Sequence, residues 1–347
     1  MSAEQNQQDS KSYLKINYSL RPAKSAERKM LCEGFRRLSK INKIECYKYI
    51  GFGSTYFSDF SLFHKALGIN SMLSIEENQD DKSRFEFNKP YKCIDLIFGA
   101  SNEVLPKLEW KIPTILWLDY DDQLSSSVLG DIGVFCAKVL PGSMFVVTVN
   151  AQPDSLDHCS LTQPYDWEKK LNEHRIQKLT ELVGEDRIPP GIEGKDLNLR
   201  NKVAVLWEII NNEVLEILAK RNGGNATENK VEYKQVFNFT YQDGAKMLTV
   251  GGVLLNLNQV NIFKNSGFEG LDFYKPGSDS FTIDIPKLTF REIRSLDKLL
   301  PSRDPNGEIV SLTQDQLGVE LSSIPEGDIE KYIKIYRYFP NFAETEL

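Results

Sequence analysis

Short apolar runs alternate with amphipathic stretches along the first half of the chain. The runs occupy residues 47–50, 71–75, 94–98, 115–118 and 144–149. Continuous apolar runs of this length are typical of strands buried on both faces of a parallel sheet, and the stretches between them carry apolar residues at helical spacing. This alternation predicts a doubly wound α/β sheet, whose right-handed crossovers bring the carboxyl ends of its strands to one edge.

The second half of the chain has a different pattern. Apolar positions predict two helices, over 166–182 and 197–220, on either side of a loop that contains proline and glycine. Two strand-like runs, 234–241 and 246–255, are joined by a polar turn and predict a β-hairpin. Thr289, with Glu292 three residues later, matches a capping box before a last helical region.

These patterns divide the chain into predicted parts. Residues 1–12 contain few apolar side chains and are expected to form a disordered tail. Residues 13–44 form an N-terminal segment with a helix that begins near Pro22 and packs on the main domain. Residues 45–347 form that domain, with a helical insertion at 155–230 and a C-terminal cap at 286–347.

The composition is that of an ordinary soluble globular protein, with 347 residues, 41% hydrophobic and 26% charged. The longest apolar runs are too short for a transmembrane helix, and the polar N-terminus lacks the apolar core of a secretory signal. Five scattered cysteines without paired spacing are typical of reduced thiols. We therefore expect a cytoplasmic protein with no membrane association and no structural metal site.

The charge is unevenly distributed along the chain. The net charge is −7, yet the first 50 residues contain eleven Lys and Arg against five Asp and Glu. This excess predicts either a solvated helix face or a basic rim that attracts an anionic substrate or a nucleic acid. Arg21 and Lys24, at the start of the predicted N-terminal helix, are therefore candidate substrate-binding residues.

A glycine turn follows the first predicted strand and organises the candidate site. The sequence from 45 to 59 reads ECYKYIGFGSTYFSD, and Ser54 is the expected cap of a helix that continues through 57, 60 and 64. A strand, a glycine turn and a helix N-terminus commonly hold a nucleotide, because glycine lets the backbone approach the ligand closely. The candidate cofactor-binding residues of this turn are Gly51, Phe52, Gly53, Ser54 and Phe57.

The acid after the second predicted strand discriminates between two classes of nucleotide. A dinucleotide site favours a GxGxxG pattern, and Tyr56 stands where its third glycine is needed. An S-adenosylmethionine site needs a glycine turn and an acid at the end of the next strand. Glu76 meets that need, because its carboxylate can accept from both ribose hydroxyls. Glu77 is the competing candidate for this ribose-binding role. The alternative without function is that Glu76 is simply a solvated acid at the end of a strand.

Seven motifs carry a resemblance to known proteins, and they extend from residue 20 to residue 342. They read LRPAKSAERKM, YIGFGSTYFSDF, MLSIEEN, RFEFNKPY, WLDYDD, YQDGAKMLTVGG and YRYFPNF. The chain resembles class I S-adenosylmethionine-dependent methyltransferases and, more narrowly, a bacterial family of O-methyltransferases. The resemblance implies a Rossmann-like, seven-stranded sheet with an antiparallel last hairpin, and S-adenosylmethionine as the cofactor. It also places Gly99, Ala100 and Ser101 near the adenine.

The sequence departs from the class pattern at the first motif. Methyltransferases of this class usually have an acid two residues before the first glycine and a third glycine two residues after the second. Tyr49 and Thr55 stand at those positions here. One acid that the resemblance implies for the cofactor is therefore replaced by a phenol.

Acidic residues follow the fourth predicted strand, where the resemblance places the transferred methyl group. Asp119, Tyr120 and Asp121 are the candidate catalytic residues, and Asp119 is also a cofactor-binding candidate. A carboxylate could remove a proton from an oxygen nucleophile, or two could hold a divalent cation. The alternative is that Asp119 orders the loop while Asp121 and Asp122 cap the next helix. Asn88, in a polar turn, is a further substrate-binding candidate.

The sequence thus predicts a cytoplasmic S-adenosylmethionine-dependent methyltransferase that acts on an oxygen of a small molecule or of an anionic biopolymer. One alternative is a non-catalytic binding module of the same fold that acts with a partner protein. Another is a nucleic-acid methyltransferase that uses the basic N-terminal segment. The acceptor, the use of a metal and the oligomeric state are left open by the sequence.

Overall fold

A single mixed sheet forms the centre of the computed structural model, which describes residues 21–156 and 167–340. The predicted tail at 1–12 lies outside these residues. The sheet has eight strands in the order β3-β2-β1-β4-β5-β7-β6-β8. The strands are β1 Lys48–Gly51, β2 Ser71–Glu76, β3 Ile94–Phe98, β4 Thr114–Gln123, β5 Ser143–Asn150, β6 Val231–Gln242, β7 Lys246–Asn256 and β8 Phe281–Ile283.

Strand directions confirm the predicted fold class. Strands β1 to β5 are parallel, and β7 lies antiparallel between β5 and β6. The carboxyl ends of β1 to β5 therefore lie at one edge of the sheet. The eighth strand is one more than predicted: β8 runs parallel to β6, and the hydroxyls of Thr240 and Thr282 lie 3.2 Å apart across this pair.

Helices cover both faces of the sheet. They are α1 Pro22–Arg37, α2 Ser58–Leu67, α3 Lys82–Asn88, α4 Ser101–Val104, α5 Ser126–Lys138, α6 Trp167–Val183, α7 Lys202–Asn222, α8 Leu257–Lys264, α9 Phe290–Asp297, α10 Gln314–Leu321 and α11 Glu326–Ile335. Helices α1 and α2 bury an aromatic core against one face, and α5 and α7 bury a mainly aliphatic core against the other. The two cores hold the sheet, and with it the functional edge, between two helical layers.

The C-terminal helices form a smaller core of their own around Leu296, Tyr332 and Ile333. The predicted capping box is confirmed, because the Thr289 hydroxyl accepts from the Glu292 amide and the Glu292 carboxylate accepts from the Thr289 amide. After α11 the chain returns to the sheet. Tyr338 packs against the ring of Phe273, with 5.5 Å between centroids, and its hydroxyl donates to Glu33 of α1 at 2.7 Å. The end of the chain therefore braces the N-terminal helix.

Candidate functional site

The glycine turn leaves the sheet at Gly51, but the helix after it begins later than the sequence predicts. Ser54 does not cap that helix, because its hydroxyl accepts from the amide of Tyr56 at 3.3 Å and α2 begins at Ser58. Both Ser54 and Phe57 have a positive φ, 49° and 47°. This conformation is uncommon for residues other than glycine and is an outlier for a bulky aromatic residue. Such strain is often found at functional loops.

Packing around the turn requires both glycines. A Cβ on Gly51 would lie 2.6 Å from the hydroxyl of Tyr49, and one on Gly53 would lie 2.6 Å from the ring of Phe57. Phe57 itself is fully buried and packs edge-on against Phe60. Its side chain is therefore part of the core, and its ring packs against Gly53 of the turn.

The acid at the end of β2 contacts the glycine turn directly. Glu76 accepts from the amide of Gly53 at 3.0 Å and from the hydroxyl of Ser74 at 2.5 Å. It is only 7% exposed, and this burial raises the pKa of Glu76 to about 7. Glu77, the competing assignment, is exposed. The structure thus brings the predicted acid and the predicted turn together.

A second polar cluster joins the ends of β3 and β4. The hydroxyls of Ser101 and Tyr120 both donate to one carboxylate oxygen of Asp131, at 2.5 and 2.6 Å. The ring of Phe52 packs edge-on against Tyr120, with 5.1 Å between centroids. Asp131 lies on α5 and is fully buried, and its second oxygen has no hydrogen-bond partner in the described part of the chain.

Asp131 is a residue that the sequence analysis missed. Its sequence context is a helix of ordinary apolar spacing, which carries no signal for a polar cluster at the ends of other strands. Burial raises the pKa of Asp131, although the hydrogen bonds from Ser101 and Tyr120 oppose this effect.

Strand β4 is longer than predicted and contains the acidic residues of the candidate catalytic site. Regular pairing with β5 ends at Asp119, and the register shifts before Gln123. The predicted capping of the next helix by Asp121 and Asp122 is wrong, because Ser125 occupies the cap position of α5 and accepts from the amide of Val128. Asp119 is therefore the last residue of β4 in regular register.

Asp119 is paired with a buried lysine of α1. Lys24 Nζ lies 2.5 Å from Asp119 Oδ1, 2.7 Å from Glu27 Oε2 and 3.0 Å from the hydroxyl of Tyr241. Glu27 also accepts a hydrogen bond from Thr249. The Lys24 ammonium group donates hydrogen bonds to Asp119 and Tyr241, and its charge is paired with both Glu27 and Asp119. Lys24 is consequently not available to bind an anionic substrate, contrary to the expectation from the sequence.

The other substrate-binding candidates have different surroundings. The guanidinium of Arg21 lies 3.8 Å from the carboxylate of Asp121, beside the Lys24 cluster. Asn88 ends α3, is exposed, and donates to the carbonyl of Arg84 in its own helix. The structure therefore brings Arg21 to the edge of β4 and leaves Asn88 outside the hydrogen-bonded clusters described above.

The basic excess of the N-terminal segment is not simply an exposed rim. Lys24 and Arg28 are buried, and Lys29 donates to the carbonyl of Phe339. The described ranges contain no group of three or more His, Cys, Asp and Glu residues that could hold a metal ion. In the same ranges no helix is long and apolar enough to cross a membrane.

The sheet order, the glycine turn and the acid at the end of β2 together define a Rossmann-like methyltransferase fold. A family model described as "Putative O-methyltransferase" matches residues 16–347, and the chain belongs to this family. Membership confirms the resemblance to S-adenosylmethionine-dependent methyltransferases that the motifs carry.

The solved structures that resemble this chain share little sequence identity with it. Trm1 from Pyrococcus horikoshii, in complex with S-adenosyl-L-methionine, shares 8% identity over 72% of this chain and 58% of its own, with a TM-score of 0.41. PigF with SAH shares 15% identity over 67% of this chain and 64% of its own, with a TM-score of 0.31. This chain thus spans less than two thirds of either protein. None of the curated proteins compared with the sequence matches it.

Proposed function

We propose that the protein binds S-adenosylmethionine along the carboxyl edge of β1 to β4 and transfers its methyl group to an oxygen atom. The observation that carries this proposal is the contact between the Glu76 carboxylate and the amide of Gly53. A carboxylate that can accept from ribose hydroxyls thus contacts the backbone of Gly53 in the turn. Family membership supports the reaction type.

The residues of the edge fit this cofactor. Gly51 and Gly53 leave room for the backbone to approach a ligand, and Glu76 would accept from the ribose hydroxyls. Gly99, Ala100 and Ser101 would line the adenine side, where the Tyr120 ring is held by Asp131 and packed by Phe52. Asp119 would face the methionine side.

Methyl transfer requires little from the protein beyond positioning, because the sulfonium group supplies an activated methyl. The enzyme gains rate chiefly by holding an oxygen nucleophile in line with that methyl. Lys24 fixes Asp119 through Oδ1, which leaves Oδ2 to accept the proton of an acceptor hydroxyl. The hydroxyl of Tyr241 accepts from the same ammonium group at 3.0 Å.

The charge at this position favours a neutral acceptor hydroxyl over an anionic biopolymer. Lys24 is neutralised by Glu27 and Asp119, and Arg21 faces Asp121. Asp243, in the turn after β6, accepts from the amide of Lys24 at 2.9 Å and adds a further carboxylate. An anionic group would meet more negative than positive charge among these side chains.

Calorimetry with S-adenosylmethionine tests the proposal. We expect a dissociation constant below about 100 μM, which corresponds to more than about 5 kcal/mol of binding free energy. A folded protein that gives no heat would contradict the proposal and favour the non-catalytic binding module.

The acceptor class is tested separately with a methyl-labelled donor. We expect label in uncharged hydroxyl compounds and none in RNA or DNA. Labelled nucleic acid, with binding that weakens steeply as salt rises, would instead support the nucleic-acid methyltransferase.

A further inference from the structure

We propose that Asp59, held by Tyr49 beneath the glycine turn, is the carboxylate that binds the α-ammonium group of the cofactor's methionine part. This inference rests on the proposed function, since it assigns a residue to one group of S-adenosylmethionine. It concerns the position where the sequence departs from its class, with Tyr49 in place of an acid. Asp59 lies in the first turn of the next helix, ten residues further along the chain.

The geometry joins these residues to the turn. The hydroxyl of Tyr49 donates to Oδ2 of Asp59, and the same hydroxyl is the atom nearest to a Cβ built on Gly51, at 2.6 Å. Tyr49 and Gly51 lie two residues apart on β1 and therefore face the same side. The carboxylate of Asp59 is thus brought to the floor of the turn from a neighbouring helix.

Among the described residues, the side-chain hydrogen bond to Asp59 comes from Tyr49, and no salt bridge reaches its carboxylate. Glu76 is assigned to the ribose hydroxyls by the proposed function, and Asp119 is paired with Lys24. The hydrogen bond to Asp59 comes from a phenol, which does not cancel its charge. Burial raises the pKa of Tyr49 well above its ordinary value, so the phenol stays protonated and remains a donor.

Burial also makes a cationic ligand favourable at this position. Asp59 is 7% exposed, and burial raises its pKa, while the Arg28 guanidinium lowers it. A buried carboxylate is costly unless charged or polar donors satisfy it. A carboxylate accepts several hydrogen bonds, so the bond from Tyr49 leaves capacity for an ammonium group. An α-ammonium supplies both the charge and the donors.

A purely structural role is the competing explanation. The Tyr49–Asp59 bond also fixes α2 to β1, and losing it would loosen the turn and weaken every ligand to a similar degree. The two explanations therefore differ in how the loss depends on the ligand's ammonium group.

The experiment compares two ligands on the wild-type protein. One is S-adenosylhomocysteine, and the other is its desamino analogue, which has a hydrogen in place of the α-ammonium. A hydrogen-bonded charge pair predicts that wild type binds the first about 10- to 100-fold more tightly. Equal affinities for the two ligands would overturn the inference. This comparison uses only the wild-type protein, so it does not depend on the folding of a variant. If neither ligand binds, the proposed function fails as well.

The variant Asp59→Asn then identifies the residue. We expect its affinity for S-adenosylhomocysteine to fall about 10- to 100-fold and its affinity for the desamino analogue to stay within about twofold of wild type. Glu76→Gln is the matched control, and it should weaken both ligands equally because the ribose is common to them. Equal losses for both ligands in Asp59→Asn would overturn the inference in favour of the structural role.

Discussion

Replacing Lys24 with methionine is expected to lower the free energy of unfolding by about 3–5 kcal/mol, the usual cost of leaving a buried charge without its partner. Lys24 is 1% exposed and Glu27 is completely buried, with 2.7 Å between Nζ and Oε2. Methionine is similar to the lysine stem in length and apolar character, whereas the ammonium group, which lies 4.6 Å from the centroid of the Trp117 ring, is lost. The loss therefore reports the ammonium group rather than a cavity. Urea denaturation of the two proteins measures it.

Two control variants separate this effect from a general effect of removing charge. Lys220→Met breaks an exposed pair with Glu216 on α7 and should leave the midpoint of urea unfolding close to that of wild type. In the double variant Lys24→Met/Glu27→Gln the buried carboxylate is removed as well, and part of the lost stability should return. If Lys24→Met is as stable as wild type, the buried cluster does not hold the N-terminal helix in place.

The same cluster shows which part of the site the sequence could not predict. Lys24 and Glu27 are three residues apart, a spacing that predicts an ordinary surface pair on a helix. Their burial arises only when α1 packs across β4 and the β6–β7 hairpin, which bring Asp119 and Tyr241 to the Lys24 ammonium group and Thr249 to the Glu27 carboxylate. The burial of Lys24 and Glu27 in the candidate site therefore depends on tertiary packing, which the local sequence pattern does not show.

The main sheet could be predicted because its strands are buried on both faces. Continuous apolar runs then mark each strand, and their alternation with helices fixes the parallel order. Residues 282–285 are recognisable as short and extended, but the sequence does not show that β8, Phe281–Ile283, joins the sheet beside β6. The turn before α2 was misjudged because positive φ at Ser54 and Phe57 follows from tertiary packing and not from residue preference.

The candidate residues divide in the same way. The location of Glu76 could be predicted from the sequence. Neighbouring parallel strands end at the same edge of the sheet, so an acid at the end of β2 lies close to the glycine turn after β1. Asp59 and Asp131 could not, since each lies on a helix and reaches the candidate site by a hydrogen bond from a residue of another element. Helical acids of this kind have the same local sequence as solvated ones.

Glu76→Gln is expected to weaken S-adenosylmethionine binding by about 10- to 100-fold at a pH of about 8. The substitution replaces the charged acceptor of the ribose hydroxyls with a neutral amide. The amide oxygen of glutamine can still accept from the Gly53 amide and the Ser74 hydroxyl, so the turn should keep its shape. This makes glutamine a cleaner test than a substitution at Gly51 or Gly53, where a Cβ would contact neighbouring side chains. Calorimetry measures the affinity, and thermal melting without ligand checks the fold.

The pH dependence of binding gives this prediction a second, independent readout. Burial raises the pKa of Glu76 to about 7 in the unliganded protein, whereas ribose hydroxyls that donate to the carboxylate favour its ionised form. Wild-type affinity should therefore be constant above a pH of about 7 and fall by up to about tenfold per unit below it. The glutamine variant should lack this component. A wild-type affinity that does not change between about pH 6 and about pH 8 would mean that Glu76 does not bind the ribose as its ionised form.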